Sequence, residues 1–231
     1  MIERTSKPGL NRLMKAGLSM DYRRKVHREM RNSFCAGIVM GLRAVLNKDD
    51  VCVDLGANVG EITVPLAETG ATVHAFEPDP DIFQTLQGAC GSFDNVVLHQ
   101  AAVGVEDGEA TFFRSSLSEK NPEKGATGGT LIASNTVADA ENAVTAKVVN
   151  GVAFVADLLE QHGRVAFLKM DIEGAELDLM DGLIAAGLLD HIGLTVVETH
   201  RWLMPGQTRR YKDLEKLAAD RPDLNLFAYW V

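Results

Sequence analysis

Cysteine is scarce: Cys35, Cys52 and Cys90 are the only three in 231 residues. They are isolated, odd in number and lack C-x-x-C spacing, so neither a disulfide framework nor a zinc cluster is encoded. Reduced, partly buried thiols are the expectation, in keeping with a cytoplasmic protein. Long apolar runs are missing too. No stretch is long enough to cross a bilayer, and the polar, basic first residues do not read as a secretory leader. Positive charge is in short supply, with 23 Lys and Arg against 32 Asp and Glu for a net charge of −9. Eleven of those cations and only three of the anions fall in residues 1–48, leaving an acidic body behind a basic arm. Such a body argues against a general nucleic-acid binder, and the arm reads as a solvated helical face.

The dinucleotide fingerprint is absent as well. Residues 51–60 read VCVDLGANVG, an apolar strand that ends near Asp54 and opens through Gly56, Asn58 and Gly60 into a helical run. A G-x-G-x-x-G turn would need glycine where Asn58 stands, which counts against an NAD-dependent oxidoreductase. What is present is still a strand leading through a Gly-rich turn into a helix. Glycine lets the backbone take positive φ and approach a ligand closely, while the helix start offers N–H donors. The length suits one domain with a sizeable core, or one domain with an extension. Residues 1–48 are expected to form a basic N-terminal helical extension, and residues 49–231 the ligand-binding domain.

Strands alternate with helices along that domain. The arm predicts one or two helices over 10–46, interrupted near Gly17 and Gly37–Gly41. After the strand at 51–54, a helix is expected over 58–69, kinked at Pro65 and stopped by Gly70. The next strand, 72–77, ends on Glu77, twenty-three residues after Asp54. A carboxylate at that strand tip is placed to accept hydrogen bonds from both hydroxyls of a ribose. Asp79 or Asp81 caps a helix to about Cys90, and strand 95–99 carries Gln100 at its carboxyl end, within reach of an adenine edge. Strands 108–114 and 143–149 flank a Ser-, Gly- and charge-rich loop at 115–142, read as a lid. A short helix follows at 152–161.

The strand 165–170 runs straight into D-I-E-G-A-E, residues 171–176. Three carboxylates in six residues at a strand-to-helix junction do not serve a core. Asp171 ends the strand and should face the cleft; Glu173 and Glu176 should fall in the first helical turn, where the dipole favours negative charge. A fifth strand, 194–198, ends on Glu198 and is followed by His200, Arg201 and Trp202. A helix at 211–219 and a strand at 226–230 complete the chain.

The pairing of VDLGANVGEIT with LKMDIEGAE and VVETH resembles the FkbM family of S-adenosylmethionine (SAM)-dependent methyltransferases. Asp171, Glu173, Gly174 and Glu176 match its D-x-E-G-x-E signature, and Glu198 and His200 its E-x-H. The resemblance spans about 51–202 and implies an α/β fold: a doubly wound, mostly parallel, Rossmann-like sheet. It also implies SAM as methyl donor and O-methylation of a hydroxyl on a sugar or small metabolite. On that reading Asp54, Gly56, Asn58, Gly60, Glu77, Gln100 and Asp171 contact the cofactor, while Asp171, Glu198 and His200 form the catalytic group. His200 has the side chain suited to a base, oriented by Asp171 or Glu198. An alternative for the same trio is a site for Mg2+ or Mn2+ that also holds the substrate oxygen. Arg201, Trp202, Arg209 and Arg210 would then meet an anionic or glycan-type acceptor. The competing reading is a non-catalytic SAM-fold protein that binds an anionic partner through its basic arm.

Overall fold

Alternation of buried apolar strands with amphipathic helices builds a parallel sheet, and the chain reverses direction at its middle. The computed structural model describes residues 20–115, 129–131, 138–200 and 204–230. In chain order, helix α1 (Met20–Val45) leads to β1 (Val51–Leu55), α2 (Thr63–Ala67), β2 (Thr72–Phe76), α3 (Pro80–Cys90) and β3 (Val96–His99). Three strands follow, β4 (Ala102–Gly104), β5 (Gly108–Ser115) and β6 (Ala138–Asn150), and then α4 (Gly151–His162). The second half comprises β7 (Phe167–Met170), α5 (Glu176–Ala185), β8 (Thr195–Glu198), α6 (Thr208–Asp220) and β9 (Leu226–Trp230).

Six strands form one sheet in the order β3-β2-β1-β7-β8-β9, with every pairing parallel. The chain builds outward from β1 to β3, then returns to the other side of β1 with β7. That reversal is the switch point at which open α/β sheets bind ligands, outside the carboxyl ends of the strands. All five residues of β1 are buried, as expected for a central strand covered on both faces. Val51, Val53 and Leu55 join α4, α5 and α6 in the larger core, whereas Cys52 turns the other way, toward Leu66 of α2 and toward Cys35 and Leu42 of α1. The arm therefore packs its carboxyl-terminal half onto the sheet. Among the described residues no helix is long and apolar enough to cross a membrane.

Four local expectations change. Helix α1 runs unbroken through Gly37 and Gly41. Burial of Cys35 and Leu42 offsets the roughly 1 kcal/mol that each helical glycine costs. The helix expected over 58–69 shrinks to α2, because Gly56, Asn58 and Gly60 have φ of 78°, 51° and 95° and left-handed residues cannot propagate a right-handed helix. Strand β6 begins at Ala138, so the end of the proposed lid is strand; the rest of 115–142 lies outside the described residues except Ser115 and 129–131. Residue Glu173 sits before α5 with φ 52°, not in its first turn. The cap of α3 is as expected, since the Asp79 carboxylate accepts the Asp81 and Ile82 N–H groups.

A second sheet, β4-β6-β5, stands beside the cleft. Strand β5 pairs antiparallel with β6, and Phe113 of β5 also bridges Thr130 through two backbone hydrogen bonds of 2.8 Å. Residues 129–131 thus lie along β5 as one more short, bridged segment.

Candidate active site

The cleft opens at the carboxyl ends of β1, β2 and β7. It is lined by Gly56, Asn58, Glu77, Asp171, Ile172 and Glu173, together with Phe76, Pro78, Ala101, Ala102, Val103, Phe112, Gly129 and Leu131. Three carboxylates thus share the wall with a set of apolar side chains.

The glycine turn owes its shape to packing. A Cβ on Gly56 would run into the carbonyl oxygen of Asp171, the residue that follows the neighbouring strand. One on Gly60 would meet the Leu86 side chain of α3 at 3.1 Å. The two glycines let β1, β7 and α3 approach one another; Gly56 also lines the cleft, and Gly60 is not among the lining residues. Asp54, expected at the cofactor, is fully buried behind the turn. Its carboxylate accepts the Thr63 hydroxyl at 2.7 Å and the Lys169 ammonium at 3.1 Å.

Lys169 is the residue that sequence reasoning missed. It is buried at the third position of β7, donates to the Gly56 carbonyl oxygen at 2.7 Å, and lies 3.7 Å from Asp171. Burial alone would favour its neutral form, but the charges of Asp54 and Asp171 outweigh that and raise its pKa. The signal was a lone cation inside the apolar run VAFLKM, on a strand with no solvated face.

Glu77 stands at the end of β2, as expected. Its oxygens accept the Asn58 N–H at 3.0 Å and the Asp79 N–H at 2.9 Å, and each keeps a lone pair for a ligand. Burial pushes this carboxyl up to about 7, although the two backbone donors work in the opposite direction. Gln100, expected at an adenine edge, is exposed and is not among the lining residues; Ala101 and Ala102 line the cleft there.

Around the acidic turn, His200 is buried among four carboxylates. Its Nδ1 lies 2.8 Å from Glu176, and its Nε2 lies 3.2 Å from Glu173, 3.6 Å from Asp171 and 3.7 Å from Glu198. Burial alone would lower its pKa, but the hydrogen bond to Glu176 and the charges of Glu176, Glu173 and Asp171 raise it to about 10. This carboxylate shell favours the protonated ring, whereas a base must first be neutral. Burial pushes Glu173 up to about 7 and, with the Asp171 charge, Glu198 up to about 8. The ligand atoms of Asp171, Glu198 and His200 lie within 4.8 Å of one another, so these three residues do converge.

Glu176 is enclosed by the fold. It is fully buried at the start of α5, where it accepts the Gly174 N–H at 2.6 Å, the His200 ring, and the Tyr211 hydroxyl at 3.2 Å. Asp171, by contrast, lines the cleft and keeps 27% of its side chain exposed. Arg210 is drawn to Asp178 and Asp181 on α5, and Arg209 is exposed beside Asp213, so neither stands among the lining residues as expected. Arg201 and Trp202 lie outside the described residues.

The chain is 27% identical over 182 residues to hexuronic acid methyltransferase AglP of Haloferax volcanii, covering 77% of this chain and 67% of that protein. Shorter matches are to ribosomal RNA small subunit methyltransferase A of Rubrobacter xylanophilus and of Thermotoga neapolitana. These are 41% identical over 58 residues and 44% over 55, and cover 22% and 21% of those proteins. The model of the methyltransferase FkbM domain matches residues 54–220, which hold the glycine turn, the acidic turn and the second sheet. The chain belongs to the FkbM methyltransferase family.

Proposed function

We propose that this protein transfers the methyl group of SAM to an oxygen of a sugar-type acceptor, with a hexuronic acid as the first candidate. The observation that carries the reading is the mixed lining of the cleft. Its apolar side chains Ala102, Val103, Phe112 and Leu131 suit a nucleobase, while its carboxylates Glu77, Asp171 and Glu173 suit ribose hydroxyls and a sulfonium. When bound, SAM supplies the electrophilic methyl group. Glu77 accepts the ribose hydroxyls on its remaining lone pairs, and the Gly56–Asn58 backbone forms the wall beside it. Asp171 orients the acceptor hydroxyl and takes its proton, because of the two acidic-turn carboxylates on the cleft wall it is the more exposed, at 27% against 16% for Glu173. His200 holds Glu173, Glu198 and Asp171 together as their shared counter-ion. Alignment of donor and acceptor supplies most of the rate enhancement in an in-line displacement of this kind.

The sugar acceptor is suggested by the hexuronic acid methyltransferase of Haloferax volcanii, and the acidic body weighs against an RNA acceptor. Mg2+ or Mn2+ at Asp171, Glu198 and His200 is the competing reading, favoured by their convergence. The test is incubation with methyl-labelled SAM and a panel of glucuronic acid, galacturonic acid and neutral sugars, with and without a chelator. Label on a sugar oxygen supports the proposal; SAM binding with no transfer to any sugar favours a binding protein. Loss of transfer with chelator, restored by Mg2+ or Mn2+, would favour the metal.

A further inference from the structure

The acidic turn contains a peptide whose orientation is unusual and fully restrained. Glu173 has φ 52° and Gly174 has φ 112°, so two successive residues are left-handed. A left-handed glutamate is disfavoured and persists only where its surroundings enforce it. Between these residues lies the Glu173–Gly174 peptide. Its N–H donates to Glu176 Oε2 at 2.6 Å, and its carbonyl oxygen accepts the Thr130 hydroxyl at 2.7 Å. One restraint is local, from a residue two positions away. The other crosses from the second sheet, forty-three residues back in the chain.

Thr130 is itself firmly placed. It is 1% exposed, paired in both directions with Phe113 of β5, and flanked by Gly129 and Leu131 on the cleft wall. A Cβ on Gly129 would overlap the ring of Phe112, which shows how closely this segment packs on β5. Rotation of the Glu173–Gly174 peptide would move the Glu173 carboxylate away from His200 Nε2, 3.2 Å distant, and with it the arrangement beside Asp171.

We propose that Thr130 is a positioning residue: its hydroxyl, presented by the second sheet, holds the Glu173–Gly174 peptide in its left-handed orientation and so couples the apolar wall of the cleft to the carboxylates of the acidic turn. The consequence for turnover rests on the methyl transfer proposed above; the structural part does not.

Two variants test it, Thr130→Val, which keeps the shape without the hydroxyl, and Thr130→Ser, which keeps the hydroxyl. In hydrogen exchange read by mass spectrometry, the peptide covering residues 171–176 should exchange about tenfold faster in Thr130→Val and stay near wild type in Thr130→Ser. Unchanged exchange in Thr130→Val, or equal acceleration in both variants, would overturn the proposal. So would acceleration in β5 and β6 as large as that in the turn, since Thr130 would then be a strut of the second sheet. With SAM and glucuronic acid, kcat of Thr130→Val should fall about tenfold while its KM for SAM changes less than about threefold, and Thr130→Ser should restore kcat. Loss of SAM affinity as large as the loss of kcat would contradict positioning. If the wild type methylates no sugar, the proposed activity fails and the exchange measurement alone decides Thr130.

Discussion

The two strand-to-helix turns that face each other across β1 and β7 solve one geometric problem by different means. Both must reverse the backbone sharply through left-handed residues. At 56–60 the left-handed positions are Gly56, Asn58 and Gly60, two of them glycine and the third a residue type that tolerates this conformation. At 173–174 one of the two is Glu173, and partners hold its conformation: Thr130 and Glu176 on the peptide, His200 beside the carboxylate. The first turn is encoded where it stands. The second is held by one neighbour, Glu176, and by Thr130 and His200 brought from other parts of the fold. Conformation written locally is robust and simple to read; conformation imposed from a distance ties the turn to the state of the rest of the site.

The locally encoded turn is most sensitive at Gly56. Gly56→Ala adds a Cβ against the Asp171 carbonyl at a residue with φ 78°, and should cost on the order of 4 kcal/mol from combined strain and overlap. Chemical denaturation checks this; a loss below about 1 kcal/mol would mean that the turn can relax without disturbing β7. Next comes Glu176→Gln, which removes the charge that binds His200, the Gly174 N–H and Tyr211 in a fully buried network. It should cost about 3 kcal/mol, the usual scale for a broken buried ion pair. Once folded, it should keep more activity than Asp171→Asn.

Asp171→Asn sharpens the same contrast from the cleft side. The exposed carboxylate is expected to matter for rate and the buried one for stability. Turnover should fall about a hundredfold with unfolding free energy changed by less than about 1 kcal/mol. Equal activity in the folded Asp171→Asn and Glu176→Gln variants would make Asp171 a structural carboxylate. The smallest effect concerns pH. With the Glu77 carboxyl pushed up to about 7 by burial, ionisation improves it as an acceptor of ribose hydroxyls. SAM affinity should therefore rise about tenfold between pH 6 and pH 8, and Glu77→Gln should flatten that rise. An equal rise in the variant would assign the dependence to Glu173 or Glu198 instead.

Much of this architecture was legible along the chain. The strands at 51, 72, 96, 167, 195 and 226, the Asp79 cap, and the acidic residues at the tips of β2, β7 and β8 all follow from local pattern and position. The positions of Asp54, Gln100, Arg209 and Arg210 did not. Asp54 looked like a cleft residue until Lys169 and Thr63 appeared beside it, and no local pattern reveals that a strand-tip carboxylate is enclosed by a neighbouring strand. Arg210 was captured by Asp178 and Asp181 through the packing of α6 against α5, a contact between elements thirty residues apart. His200 was found by its spacing from Glu198, yet its proton affinity depends on Glu176 and Glu173, which arrive from a different strand-to-helix turn. The roof of the cleft at Phe112 and 129–131 was least legible, because it lies in a small sheet whose strands are separated by a long polar segment.

The central claim is that SAM occupies the cleft between the two turns with its ribose on Glu77. Calorimetric titration of SAM into the wild type and Glu77→Ala at pH 8 tests it most directly. Saturable one-site binding to the wild type is expected. Affinity should weaken by about 1.5–3 kcal/mol, roughly ten- to a hundredfold, in the variant, which lacks the charged acceptor. Equal affinity in the two proteins would remove the ribose from Glu77, and no binding to the wild type would contradict the account as a whole.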